Sequence, residues 1–161
     1  MQKKMIAIIL AVLALAIAVL GFENRQGNPK AEGLLVRNGK EETVVSWENV
    51  GKMAFEGDLV NGKGEVSHHI YEGAALLDVL KKAGAEVSET MALTATSEDN
   101  YSATLTGAEV LEDGKAYVAL TRDGAMIEGI EGGQGAQLIV FGDENSKRAV
   151  RYLKTLTLAG E

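Results

Sequence analysis

Cysteine is absent from the whole 161-residue chain, which excludes disulfide bonds, thiolate metal ligands and a lipid attached at an N-terminal cysteine. Histidine occurs only twice, at His68 and His69, so a site built from several imidazoles is excluded as well. Transition metals of the softer kind need sulfur or several imidazole ligands. The sequence therefore predicts no protein-bound metal centre.

Positive charge is also scarce. The chain has 16 lysines and arginines against 23 aspartates and glutamates, a net charge of −7. Lys3 and Lys4 are the only charged residues before Glu23, so the rest of the chain has 16 − 2 = 14 basic and 23 acidic residues, net −9. Such a surface repels polyanions, which argues against nucleic acid or anionic lipid as the main partner.

An unbroken apolar run of 18 residues, 5–22, follows the two lysines. A basic start followed by such a run is typical of a secretory signal peptide or an uncleaved membrane anchor, so we assign residues 1–22 to one of these. The lysines precede the run, which predicts that the rest of the chain is exported and meets the membrane only through this segment. Residues 23–33, which include the only proline, Pro29, predict a flexible tether, and residues 34–161 form one domain.

Short alternating segments bounded by turn residues predict a domain in which strands dominate. The predicted strands are residues 34–37, 43–45, 66–71, 91–96, 101–105, 116–121, 125–127, 137–141 and 155–158. The clearest helix is 74–83, where Leu76, Leu77, Leu80 and Ala83 share one face, and Gly84 ends it. Shorter helical segments are predicted after Ser46 and at 106–111 and 146–153. The fold class is therefore α+β, as a single mixed and mainly β domain.

Four motifs stand out in the second half of the domain. They are Tyr71-Glu72-Gly73 before a helix, Asp99-Asn100-Tyr101, the Asp123-Gly124 hairpin, and Arg148-Ala149-Val150-Arg151-Tyr152-Leu153. Together, over residues 34–158, they resemble the molybdopterin-binding domain of the sulfite oxidase family. The resemblance implies the fold of that domain, with short helices, and a pterin or molybdopterin as the ligand. It also implies that Arg148 and Arg151 match the basic pair that holds the phosphate end of the pterin.

The chain departs from that family where the chemistry is concerned. The family's enzymes hold molybdenum through a cysteine thiolate, and this chain has no cysteine. The family's His-Gly-x-Pro-x-Arg run is replaced by Gly-Gly-Gln-Gly-Ala-Gln at residues 132–137. The resemblance therefore implies the fold and a pterin-like ligand, but no molybdenum centre and no catalytic residue.

Each candidate ligand contact has a structural alternative. The two histidines are neighbours on a predicted strand, so their side chains should point to opposite faces, with one at the pocket or with neither. Lys147, Arg148, Arg151 and Lys154 fall at helical spacing and suit an anion, or form a solvated helix face near Asp143 and Glu144. The aromatic residues suit stacking on a flat ring, or a place in the core. The predicted contacts are His68, Tyr71, Asn100, Tyr101, Gln134, Arg148 and Arg151.

Three functions fit these observations. The first is an exported, non-catalytic module that binds a pterin or a similar flat anionic small molecule. The second is an oxidoreductase subunit with an atypical molybdopterin centre. The third is an extracytoplasmic interaction domain that contacts a membrane-bound partner protein.

Overall fold

The computed structural model of the protein describes residues 32–159. The predicted export segment, residues 1–22, and all but the last two residues of the predicted tether lie outside this described part. Within residues 32–159, no helix is long and apolar enough to span a membrane.

The described chain forms ten strands, which build two sheets, and a few short helices. The strands are β1 (Gly33–Asn38), β2 (Glu41–Ser46), β3 (Met53–Val60), β4 (Val66–Ala75), β5 (Ala92–Ser97), β6 (Ser102–Thr106), β7 (Ala116–Arg122), β8 (Ala125–Met126), β9 (Gln137–Val140) and β10 (Leu153–Ala159). The α-helices are α1 (Trp47–Val50), α2 (Leu76–Lys82) and α3 (Gly107–Leu111), and a 3₁₀-helix covers Ser146–Arg148. The predicted mainly β domain with short helices is confirmed.

The first sheet has the strand order β2-β1-β10-β5-β6, and the second has the order β3-β4-β7-β8. The pair β1–β10 is parallel, with Leu35 opposite Thr155, whereas β10–β5 and β5–β6 are antiparallel. Strand β7 has two successive partners along one edge: its first half pairs with β9, and its last two residues pair with β8. Strand β7 therefore lies between β4 on one side and β9 and β8 on the other.

One large apolar cluster joins the two sheets and α2. It includes fully buried side chains of the first sheet, the second sheet and the helix: Leu34, Leu93, Leu105, Leu156, Val118, Leu138, Leu76 and Leu80. Strand β5 alternates strictly between buried and half-buried positions, as a strand with one face in a core must. This alternation explains why β5 and β6 are readable from the sequence.

Strand β3 is not predicted by the sequence. Its residues alternate only between exposed and half-buried positions, with acidic residues at Glu56 and Asp58. It lies at the edge of the second sheet, where it pairs with β4 alone. An edge strand with one half-covered face lacks the apolar run that identifies a buried strand.

The predicted boundaries are wrong at two places that matter for the site. Helix α2 begins at Leu76, because Ala74 and Ala75 still belong to β4 and pair with Val118 and Tyr117 of β7. The helical segment predicted for 146–153 ends at Arg148, since Leu153 N donates to the carbonyl of Ala136 at 2.9 Å as β10 begins. The four basic residues of this segment therefore do not share a helical face.

Candidate functional site

A cavity of about 490 Å³, called here the main cavity, lies where the two sheets converge. Four parts of the chain line it: the end of the β3–β4 hairpin, the β5–β6 turn, the region of β7 and β9, and the segment from the 3₁₀-helix to β10. Its polar lining includes His69, Asp99, Tyr101, Arg122, Gln137, Lys147 and Arg151. A second cavity of about 480 Å³ shares Arg122, Gln137, Arg151 and Tyr152 with it and extends along β8. The two cavities therefore form one continuous groove.

The arginines of the described chain divide into two kinds. Arg37 forms an exposed ion pair, with its Nε 2.7 Å from Oε1 of Glu42, and Arg148 is also paired with carboxylates. Arg122 and Arg151 line the groove and make no ion pair or side-chain hydrogen bond. Two unpaired guanidinium groups on one groove are suited to bind an anion.

Arg148, which the resemblance places at the ligand, has a different role. Its Nη2 and Nε bind the two carboxylate oxygens of Asp143 at 2.5 and 2.8 Å, and its Nη1 lies 2.8 Å from Oε1 of Glu109. The hydrogen bonds that Arg148 donates to Asp143 first, and then to Glu109, raise the pKa of Arg148 above its usual value. Burial acts to raise the pKa of Glu109, but hydrogen bonds from the Thr106 N–H and from Arg148 outweigh it, so that pKa is lowered. Arg148 therefore ties α3 to the loop before the 3₁₀-helix and does not line the main cavity.

Two glutamines of the β8–β9 region differ in their surroundings, and only Gln134 is a predicted ligand contact. The Nε2 of Gln134 contacts the backbone carbonyls of Gly135 at 2.6 Å and Leu120 at 3.0 Å, so this predicted ligand contact fastens the glycine-rich loop. Gln137 is 5% exposed, lines both cavities and has no side-chain hydrogen bond. Because Gln137 lines both cavities, its amide is available to donate to and accept from a molecule in the groove.

The two histidines point to different surroundings, as their adjacency on β4 predicts. The Nδ1 of His68 lies 2.7 Å from Oδ1 of Asp58, and this hydrogen bond raises the pKa of His68. The Nδ1 of His69 lies 2.7 Å from Oδ2 of Asp123, and His69 lines the main cavity. The histidine at the cavity is therefore His69 and not the predicted contact His68.

Of the remaining predicted contacts, only Tyr101 and Arg151 line the main cavity. Tyr101 is 48% exposed, and its hydroxyl donates to the backbone carbonyl of Lys147. Tyr71 is fully buried, and its ring stacks on Phe55 with a centroid distance of 5.3 Å, as the core alternative predicts. Burial raises the pKa of the Tyr71 hydroxyl, which has no hydrogen-bond partner. Asn100 occupies the β5–β6 turn with φ 66° and does not line either cavity.

Backbone strain is concentrated around this site. Within residues 32–159, the non-glycine residues with positive φ are Asn100, Asp123 and Tyr152. Tyr152 lines both cavities, Asn100 lies between two lining residues, and Asp123 binds His69. Asparagine and aspartate tolerate this conformation, but tyrosine rarely adopts it. Clustering of such residues is a common property of ligand-binding sites.

The sequence matches no family model and no curated protein. Among solved structures, the chain is similar to the sulfane dehydrogenase SoxCD from Paracoccus pantotrophus, with 15% sequence identity and a TM-score of 0.64. The match covers 80% of this chain and 38% of that chain, so this protein spans well under half of its length. At this identity the similarity shows the fold alone, and that fold is the mainly β, sulfite oxidase type expected from the motifs.

The cavity residues suit the anionic organic part of a molybdenum-bound molybdopterin better than they suit its metal. Guanidinium groups, a lysine and a buried amide can bind the anionic organic part. The sequence has no cysteine to ligate molybdenum. Within residues 32–159, no three acidic or histidine side chains are grouped closely enough to bind a metal ion.

Proposed function

We propose that this protein is an exported binding module that holds a pterin, or a similar flat anionic small molecule, in the main cavity without catalysing its conversion. The observation that carries this proposal is the pair of guanidinium groups without ion pairs, Arg122 and Arg151, on the same groove as Gln137, whose amide makes no hydrogen bond within the protein. An anionic group of the ligand pairs with the arginines, and a polar ring edge provides hydrogen-bond partners for the amide.

The size and walls of the cavity support a ligand of this class. A volume of about 490 Å³ lies within the range of small-molecule sites, which is roughly 300–1,000 Å³. Tyr101 and Tyr152 line the cavity and offer aromatic surface to a flat ring. The unpaired arginines lie in a chain of net negative charge, so their attraction for anions is local to the groove.

The ligand-binding test compares the parent protein with variants of the groove by calorimetry with neopterin and neopterin monophosphate. Arg151→Ala should weaken binding of the phosphorylated pterin by about 1.5–3 kcal/mol, the range for hydrogen bonds to charged groups. Gln137→Leu should also weaken binding of both pterins, because it removes the amide that donates to and accepts from the ring edge.

Arg37→Ala is the matched control, since it removes an arginine that lines neither cavity. It should leave the affinity for both pterins unchanged. Equal affinities in the Arg151 and Arg37 variants would remove the arginine pair from the site. No binding of any pterin by the parent protein would contradict the proposed ligand class.

Export is the second part of the proposal and is supported by the sequence alone. Lys3 and Lys4 followed by the apolar run 5–22 are typical of an export signal or anchor and support a location of the domain outside the cytoplasmic membrane. Protease added to intact cells or spheroplasts should digest the domain. Complete protection, with digestion only after lysis, would show that the domain is internal.

The similarity to a sulfane dehydrogenase favours a second candidate, an oxidoreductase subunit that carries an atypical molybdopterin centre. Metal analysis of protein purified from its native host separates the two. Molybdenum or tungsten near one atom per chain would favour the subunit, whereas bound pterin without metal would favour the module.

A further inference from the structure

His69 is held in a fixed orientation at the edge of the main cavity. Its Nδ1 lies 2.7 Å from Oδ2 of Asp123, and its side chain is one-quarter exposed. Asp123 is itself fixed, because its Oδ1 accepts from Ile70 N at 3.1 Å and its own N–H donates to the Ile70 carbonyl at 2.7 Å. The turn that carries Asp123 is thus fastened to the strand that carries His69.

This arrangement determines which ring nitrogen is left for a ligand. The Ile70 N–H and His69 lower the pKa of Asp123, so it is a carboxylate that accepts a hydrogen bond from Nδ1 of His69. The remaining nitrogen, Nε2, is then free to contact a molecule in the cavity. It accepts a hydrogen bond when the ring is neutral, and it donates one, with a positive charge, when the ring is protonated.

We propose that His69 is a ligand-contacting residue of the main cavity and Asp123 its positioning residue, so that an anion binds most tightly to the protonated imidazole and takes up a proton as it binds. The proposal rests on the proposed function, because it concerns the same cavity and the same anionic ligand. It adds that ligand affinity depends on pH through one named side chain.

The other charged groups around His69 provide a constant background. Arg122, Lys147 and Arg151 contribute positive charge to the cavity. Asp99 keeps its negative charge, because hydrogen bonds from Ser97 and from the Tyr101 N–H lower its pKa. Tyr71, whose ring centroid is 6.0 Å from that of His69, stays neutral because burial raises its pKa. A bound anion favours the protonated form of a neighbouring imidazole, so anion binding and proton uptake are coupled.

The experiment measures binding of inorganic sulfate between pH 5.5 and 8, because sulfate keeps its double charge over this range and histidine side chains ordinarily titrate within it. Parent protein should bind sulfate about five- to tenfold more tightly at the lower pH, the gain expected from one added charge near the anion. Calorimetry near pH 7 in buffers of different ionisation enthalpy should also show proton uptake on binding. Both effects should disappear in His69→Gln.

The adjacent histidine provides the matched control. His68 has its own carboxylate partner, Asp58, and does not line either cavity, so His68→Gln should keep the pH dependence and the proton uptake of the parent. Asp123→Asn tests the positioning role, since asparagine tolerates the left-handed turn and keeps an acceptor oxygen. Loss of the carboxylate should weaken the pH dependence of sulfate binding, because the ring is then no longer held by its Nδ1. A merely structural role would lower affinity equally at every pH.

The outcomes separate this inference from the proposed function. If neither sulfate nor neopterin monophosphate binds to the parent protein or to any variant at any pH, both the role of His69 and the proposed function are overturned. Sulfate binding with the same pH profile in His69→Gln as in the parent would overturn the role of His69 and leave the arginine site in place. An affinity that rises with pH would also contradict the proposal.

Discussion

Replacement of Arg148 by alanine is expected to lower the free energy of unfolding by about 2–4 kcal/mol. The arginine is 30% exposed, and the carboxylates that it joins, Asp143 and Glu109, are only 13% and 25% exposed. Without it, two largely covered negative charges lose their main partner. Because the site is not fully buried, we expect a smaller loss of unfolding free energy than for a completely buried ion pair. Thermal unfolding should show a decrease in Tm of roughly 10 °C.

Arg37→Ala is the control here as well, because its ion pair with Glu42 is exposed on both sides. Removal of an exposed pair costs about 0–1 kcal/mol. The Arg148 variant should still bind neopterin monophosphate with parental affinity below its Tm. Parental stability together with lost ligand binding would show that Arg148 belongs to the ligand site after all, as the resemblance to the pterin-binding family implies.

Replacement of Gly73 by alanine is expected to have the largest effect, a loss of at least about 3 kcal/mol or failure to reach the native fold. Gly73 lies at the bulge where the register between β4 and β7 shifts. A Cβ at this position would overlap the carbonyl oxygen of Val118 and lie 3.0 Å from the Cα of Ala119. These are backbone atoms of a central strand and cannot move aside. Urea denaturation of the two proteins gives the difference.

Gly62→Ala is the matched control for this prediction. Gly62 has open space around its Cα and no left-handed φ, so alanine should be neutral or stabilise the protein by less than about 1 kcal/mol. If the Gly73 and Gly62 variants unfold at the same urea concentration, the bulge can widen to accept a side chain. The close approach of β4 to β7 would then not explain the glycine of the Tyr71-Glu72-Gly73 motif.

Much of the fold is predictable from the sequence, because most strands bury one face. The alternation of Leu93 and Ala95 on β5 and of Ala103 and Leu105 on β6 follows directly from that burial. Strand β3 escapes prediction because Gly57, over which the ring of Phe141 lies, interrupts its apolar positions. The covering ring comes from a distant part of the chain, and no local pattern reveals it.

The site is less predictable than the fold. Tyr101 and Arg151 belong to motifs, but His69, Arg122 and Gln137 come from three different strands and meet only through the pairing of β7 with its neighbours. One local signal does exist. Gln137 is a polar residue at the start of the apolar strand β9, where most side chains of this kind are not buried.

The position of β10 determines when this domain can fold. β10 follows every other described strand in the chain, yet it lies inside the first sheet, between β1 and β5. Until residues 153–159 have been synthesised, β1 has no parallel partner and β5 has one unpaired edge. A nascent chain therefore cannot complete this sheet before residues 153–159 have been synthesised, and pairing of such distant segments is slow. Such late completion of the sheet agrees with the proposed export, because a chain that passes through a membrane channel must be unfolded as it passes.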